Sequence, residues 1–92
     1  MTQTATVTFD GTGCRYDGPT DLVSTDVLHV RFTNESDALA TFGVWTPFAV
    51  IWLPAEPGTT NEGYGRFPVG NHESWCGTSH PLNVPGPLFD VA

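Results

Sequence analysis

Alternation between apolar and polar residues is the main pattern in this chain. Every second residue is apolar between Thr4 and Asp10, and the same period of two returns between Asp26 and Asn34. This period is that of a β-strand with one face in a core and the other in solvent. The predicted core positions of the two strands are Ala5, Val7, Phe9, Leu28, Val30 and Phe32. The period of a helix is not found, so the pattern predicts strands and no substantial helix.

Glycine and proline separate the alternating segments. The chain contains ten glycines and eight prolines, and residues 54 to 63 hold two of each with no periodicity. We therefore expect residues 54 to 63 to form the longest loop. Seven or eight short strands between such turns are typical of an all-β antiparallel sandwich or barrel. A chain of 92 residues supports one core, so residues 1–92 are expected to form a single domain.

The charge balance is strongly acidic. Ten Asp and Glu residues face three arginines and no lysine, which gives a formal charge of −7. Such a surface repels phosphate backbones and anionic lipid, so nucleic acid is not an expected partner. No apolar run approaches the roughly 20 residues that span a bilayer, so membrane insertion is not expected either.

Cys14 and Cys76 are the only cysteines. A disulfide between them would close a loop of roughly 60 residues and stabilise the domain by about 4 kcal/mol in the chain-entropy model. It would require an oxidising compartment, which favours an extracellular or periplasmic location. The N-terminus lacks a basic segment followed by an apolar one, so Met1 to Thr4 are either a natural cytoplasmic start or an initiator placed before a mature secreted domain. The cysteine argument favours the mature secreted domain, without its signal peptide. Two unpaired, buried thiols are an alternative.

A metal site is the other alternative for Cys76. A blue-copper centre needs one thiolate and two imidazoles, usually with a weak axial thioether. Cys76 and His80 could supply two ligands from one loop, with His29 or His72 as a further ligand. The sole methionine is Met1, which cannot be an axial ligand from that loop. The spacing also lacks the paired motifs that hold structural zinc. We expect no cofactor, with copper as the alternative.

Aromatic residues suggest a binding surface. An exposed platform of such rings would suit sugar rings or a protein partner, because it offers rigid contact area at low entropic cost. The alternative is that these side chains fill the interior. The candidates are Trp45, Phe48, Trp52 and Trp75.

The longest apolar stretch begins at Phe42 and ends at Leu53, and part of it does not alternate cleanly. Some of this surface must be covered, either by the chain itself or by a second copy. A homo-oligomer that forms through this stretch is therefore one expected assembly.

Catalytic chemistry has no supporting motif. No nucleophile elbow frames the serines, and a disulfide-bonded sulfur cannot attack a substrate. The chain is accordingly expected not to be an enzyme. Asn34-Glu35-Ser36 matches the glycosylation triplet, but we interpret it as a polar turn.

Several segments together resemble the cupredoxin-like domains of secreted bacterial proteins. The resemblance covers the first 45 residues well and the region from Phe67 to Val91 more loosely. It implies a Greek-key β-sandwich. The segments that carry the resemblance are Phe9-Asp10-Gly11 through Cys14, Tyr16-Asp17-Gly18-Pro19, the strand from Val27 to Phe32 with the following Thr33-Asn34-Glu35-Ser36, and Gly70 to Cys76.

The resemblance also bears on copper. In copper-binding members the first histidine ligand stands about where Ala40, Thr41 and Phe42 are found here, and none of these is a histidine. The resemblance therefore implies a copper-free member in which Cys76 is bonded to Cys14. Its expected role is that of a non-enzymatic, exported binding or structural module for an unidentified protein or glycan.

Overall fold

The computed structural model describes residues 1–45, 49–79 and 81–92, and in this part of the chain it is built from strands alone. No helix long and apolar enough to cross a membrane occurs among these residues. The strands are β1 (Thr2–Phe9), β2 (Cys14–Asp17), β3 (Asp21–Leu22), β4 (Val27–Asn34), β5 (Ala40–Trp45), β6 (Ala49–Ala55), β7 (Thr60–Gly65), β8 (Gly70–Gly77), β9 (Val84–Pro85) and β10 (Phe89–Val91).

The strands form two sheets that face each other. Sheet A has the order β2-β1-β4-β7, and sheet B has the order β3-β10-β8-β5-β6, with β9 added to β8. The predicted all-β sandwich is confirmed. Its sheets are mixed, because β1 pairs with β4 and β3 pairs with β10 in parallel. An alternating pattern identifies a strand and its inner face, but it does not specify the direction of the neighbouring strand.

The core lies between the inner faces of the two sheets. All six core positions predicted on β1 and β4 are buried. Phe32 of sheet A and Phe42 of sheet B meet across the interior with ring centroids 6.1 Å apart. Phe67 and Phe89 form an edge-to-face pair at 5.1 Å. Burial of each such ring stabilises the fold by roughly 1.5–3 kcal/mol, so these contacts hold the sheets together.

Two expectations about the chain between the strands are wrong. The described residues form ten strands rather than seven or eight. The sequence pattern does not predict β3 and β9, because each has only two residues and shows no alternation. Residues 54 to 63 are not the longest loop, since β6 ends at Ala55 and β7 begins at Thr60. Pro54 fits in β6 because this strand lies at the edge of sheet B, where a missing backbone donor is tolerated.

Asn34 fixes the end of β4. Its side chain is fully buried, and Nδ2 donates to the carbonyl oxygens of Ala38 at 2.7 Å and Ala55 at 2.8 Å. Oδ1 accepts hydrogen bonds from the backbone N–H and the hydroxyl of Ser36. The amide nitrogen of the glycosylation triplet is therefore engaged inside the fold, and the triplet serves as the polar turn that the sequence indicates.

Candidate functional site

The two cysteines form a disulfide that crosses the sandwich. Cys14 is the first residue of β2, at the edge of sheet A, and Cys76 lies in β8, the middle strand of sheet B. Their sulfur atoms are 2.06 Å apart and their Cα atoms 5.8 Å apart. The predicted disulfide is confirmed, and both cysteines of the chain are bonded.

The segment between β9 and β10 packs directly against this bond. The Ser74 hydroxyl donates to the carbonyl of Pro87 at 2.6 Å, and the backbone N–H of Gly86 donates to the carbonyl of Ser74 at 2.9 Å. A Cβ atom at residue 86 would lie 3.4 Å from the sulfur of Cys14 and 2.5 Å from the Ser74 hydroxyl oxygen. An added side chain at residue 86 would touch the disulfide at van der Waals distance and would force the Ser74 hydroxyl to move.

The positions implied for a first copper ligand lie beside Cys76. In the pairing of β5 with β8, Phe42 stands opposite Cys76 and Thr41 opposite Gly77. Ala40, Thr41 and Phe42 are buried and carry no imidazole. Packed side chains and a disulfide thus occupy the place where the resemblance implies a first copper ligand.

The described histidines do not converge on Cys76. His72 faces the core from β8 with its Nε2 2.7 Å from the carbonyl oxygen of Pro68. His29 lies on the outer face of sheet A, where its Nε2 is 2.8 Å from Glu62 Oε1 and its ring stacks on Tyr64 at 4.5 Å.

A copper donor set is therefore not assembled in the described part of the chain. His80 lies outside the described residues, and the sulfur of Cys76 is already bonded to Cys14. Among residues 1–45, 49–79 and 81–92, no group of three or more His, Cys, Asp and Glu side chains could hold a metal ion.

Two tryptophans flank a glycine on the outer face of sheet B. Gly43 of β5 stands opposite Trp52 of β6 on one side and opposite Trp75 of β8 on the other. The neighbours of each tryptophan in its strand face the core, so both rings face outward. Trp52 is 41% exposed and Trp75 is half-buried. We call this arrangement the tryptophan row. Because β5 lies between β6 and β8, the Cα atoms of Trp52 and Trp75 are two strand spacings apart, which is about 10 Å.

The side chains of the other two predicted aromatic residues lie outside what the structure describes. Phe48 lies outside the described residues, and Trp45 is placed by its backbone alone, opposite Glu73 in the pairing of β5 with β8. In the stretch from Phe42 to Leu53, the alternate side chains Phe42, Val44, Ile51 and Leu53 fill the core of the chain itself. Association of two copies through this stretch stays a prediction.

A cavity of about 180 Å³ opens next to the tryptophan row. Its walls are Glu73, Ser74 and Trp75 of β8, Pro85 of β9 and the three residues that follow Pro85. Most of the lining residues are apolar, since they include the indole ring of Trp75, two prolines and Leu88. Glu73 contributes the carboxylate.

Charge is unequal between the two sheets. Arg15 and Arg31 belong to strands of sheet A, and Arg66 lies between β7 and β8. The strands of sheet B contain no arginine or lysine, and they carry exposed carboxylates at Asp21, Glu73 and Asp90. The outer face of sheet B is therefore both aromatic and acidic.

Neither a family model nor a curated protein matches the chain. Among solved structures, one described as "Crystal structure of multicopper oxidase" superimposes with a TM-score of 0.63 at 20% sequence identity. The match covers 98% of this chain and 41% of that chain. The fold is cupredoxin-like. At this identity the likeness concerns the fold alone, and fold does not determine function. This chain thus corresponds to less than half the length of that oxidase.

The tryptophan row was only partly accessible to sequence reasoning. The sequence indicates Trp52 and Trp75 as candidates, but their position on either side of Gly43 depends on β5 lying between β6 and β8. Nothing in the sequence pattern marks Gly43 as a candidate binding residue. The distribution of arginines could have been found by assigning each one to its strand.

Proposed function

We propose that this protein is a non-enzymatic, exported binding module built on a copper-free cupredoxin-like sandwich. The observation that carries the proposal is the tryptophan row, in which Trp52 and Trp75 flank Gly43 on the outer face of sheet B. The disulfide between Cys14 and Cys76 supports an extracellular or periplasmic location, because such bonds persist in oxidising compartments.

The state of Cys76 supports a binding role over a redox or catalytic one. A sulfur held in a disulfide has no thiolate to ligate copper or to attack a substrate. The positions beside it, Thr41 and Phe42, carry neither an imidazole nor a carboxylate. The surface with the greatest capacity for recognition is then the outer face of sheet B.

The geometry of the tryptophan row favours a partner that lies across the strands. Gly43 has no side chain, so the space between the rings of Trp52 and Trp75 has a backbone floor. Tryptophan contributes large, rigid contact area with little loss of side-chain entropy, which is why it is enriched at binding hot spots. The expected partners are a protein segment or a glycan chain.

Nuclear magnetic resonance of the oxidised, isotope-labelled protein tests this proposal. The probes are cellohexaose, chitohexaose, and short basic and acidic peptides. We expect at least one probe to shift the indole N–H resonances of Trp52 and Trp75 together with backbone resonances of β5. The Trp52→Ala variant is expected to weaken that binding, since the side chain is exposed and its removal leaves the core intact.

Tyr64→Ala provides the matched control on the opposite sheet. Tyr64 is 66% exposed on the outer face of sheet A, so its removal is expected to leave binding unchanged. Shifts confined to sheet A would contradict the proposal. An intense visible band after addition of Cu(II) to the purified protein would favour the copper-binding alternative instead, in which Cys76 and His80 ligate the metal with His29 or His72.

A further inference from the structure

We infer that the outer face of sheet B binds a cationic segment of another protein, with one arginine or lysine side chain entering the cavity beside Trp75. This inference rests on the proposed binding function and specifies the chemistry of the partner. It follows from the charge of the face, from the size of the cavity and from the pairing of an indole ring with a carboxylate.

Charge complementarity points to a cationic partner. Asp21, Glu73 and Asp90 are exposed on strands of sheet B, whose sequence includes no arginine or lysine. Among the described residues, Glu73 makes no ion pair within the chain. A face of one sign attracts a partner of the opposite sign and repels others, so basic segments are favoured and polyanions are excluded. A neutral glycan would gain nothing from these three charges.

The cavity has the size for one side chain. Pockets for whole small molecules usually enclose roughly 300–1,000 Å³. The cavity beside Trp75 encloses about 180 Å³, which is enough for one long side chain but small for a complete ligand. Its occupant is therefore best understood as one residue of a longer segment that continues across the tryptophan row.

The lining of the cavity suits a guanidinium or ammonium group. Glu73 and Trp75 face outward from the same strand two residues apart, about 7 Å along β8. A cation between them would lie over the indole ring and donate charge-assisted hydrogen bonds to the carboxylate. Pro85, Pro87 and Leu88 would pack against the aliphatic part of the same side chain.

A pair of peptides tests the inference directly. The first is a short fluorescein-labelled peptide of glycine, serine and several arginines, and the second has citrulline in place of every arginine. Citrulline preserves the shape of arginine but removes its charge. Fluorescence anisotropy is expected to show that the arginine peptide binds at least about tenfold more tightly. Binding is also expected to weaken as NaCl is raised from about 0.05 to about 0.5 M.

Two variants with equal changes in net charge locate the binding. Glu73→Gln removes the carboxylate of the cavity, and Glu56→Gln removes an exposed carboxylate in the turn between β6 and β7. We expect Glu73→Gln to weaken binding of the arginine peptide about tenfold and Glu56→Gln to change it less than about twofold. Both side chains are exposed, so both variants should fold.

The inference fails if the citrulline peptide binds as well as the arginine peptide, or if both variants weaken binding equally. It also fails if cellohexaose, and not the arginine peptide, shifts the Trp52 and Trp75 resonances. That last result would leave the proposed binding function in place and identify a neutral glycan as its ligand.

Discussion

Cys14 and Cys76, which are 62 positions apart in the sequence, join the edge strand of sheet A to the middle strand of sheet B. The bond therefore fixes how the two sheets face each other. Phe42, which pairs with Cys76, occupies the place where the family resemblance implies a first copper ligand. The sulfur of Cys76, which the sequence offers as a copper ligand in the alternative interpretation, thus forms a covalent link between the sheets.

Removal of this link should be strongly destabilising. The double variant Cys14→Ala/Cys76→Ala is expected to lose about 2–5 kcal/mol of unfolding free energy, because its unfolded chain regains the entropy of a long open loop. Urea unfolding with and without dithiothreitol measures the loss. Reductant should lower the stability of the wild-type protein and leave the double variant unaffected. Equal midpoints for oxidised and reduced wild-type protein would contradict this.

The sequence predicted the sandwich because its longest strands carry a clear period of two. Phe32 in β4 is buried as the alternation indicates, and so is Val7 in β1. The strands β3 and β9 were missed, since two residues cannot display a period. The prolines, the glycines and the lack of periodicity in residues 54 to 63 predict a loop, but Pro54 belongs to β6 because an edge strand tolerates proline.

The candidate site depended on long-range pairing that local patterns do not contain. Trp52 and Trp75 are 23 positions apart in the sequence and become neighbours of Gly43 only through the order of strands in sheet B. The disulfide could be predicted by counting two cysteines in a small domain. The expectation of a copper-free domain rests on the resemblance and stays a prediction.

Gly18→Ala should destabilise the sandwich through a backbone clash. A Cβ atom at residue 18 would lie 2.6 Å from Cβ and 2.9 Å from Cα of Ala5, so β1 would have to move. We expect a loss of about 1–3 kcal/mol. Gly13→Ala is the matched control, because the nearest atom to its new Cβ would be 3.8 Å away. Thermal unfolding of both variants checks the prediction, and an equal effect would contradict it.

Asn34→Asp should strongly lower the free energy of unfolding, although it replaces only one NH2 group by an oxygen. The buried Asn34 amide donates to the carbonyls of Ala38 and Ala55, and a carboxylate would place a charge beside both oxygens without a donor. The expected loss is about 2–5 kcal/mol. Asn61→Asp is the control, since Asn61 Nδ2 donates to Pro54 in a solvent-exposed setting. Its loss should stay near or below about 1 kcal/mol. Chemical denaturation at neutral pH distinguishes the two, and similar losses would refute the argument.

Tyr16 should resist ionisation at high pH. Burial raises the pKa of the Tyr16 phenol from 10.0 to about 12, and its hydroxyl donates to the carbonyl of Pro19 at 2.5 Å. Since the folded pKa exceeds the unfolded one, this contribution to stability is complete below pH 10 and is lost as the pH rises towards 12. Ultraviolet titration of phenolate should show a transition near pH 12 that is absent in Tyr16→Phe and present in Tyr64→Phe. A wild-type titration complete by pH 11 would be incompatible with this.

Protonation of Asp10 at low pH should loosen the turn formed by residues 10–13. Its Oδ1 accepts hydrogen bonds from the backbone N–H of Gly13 at 2.7 Å, and from the backbone N–H and the hydroxyl of Thr12 at 2.9 and 3.0 Å. These bonds, that from Gly13 foremost, lower the pKa of the Asp10 carboxyl from 3.8 to about 2. The folded pKa lies below the unfolded one, so the stabilisation is present above pH 4 and is lost as the pH falls towards 2.

Carbon-detected NMR of the Asp10 carboxyl should accordingly report a midpoint near pH 2. Asp10→Asn retains an acceptor oxygen for the same N–H groups but cannot titrate, so its turn should persist through this range while the wild-type turn loosens. Asp10→Ala removes the acceptor and should loosen residues 10–13 at every pH. An Asp10 midpoint near pH 4, with amide resonances of Thr12 and Gly13 that do not respond to acid, would mean that these hydrogen bonds do not favour the carboxylate in solution.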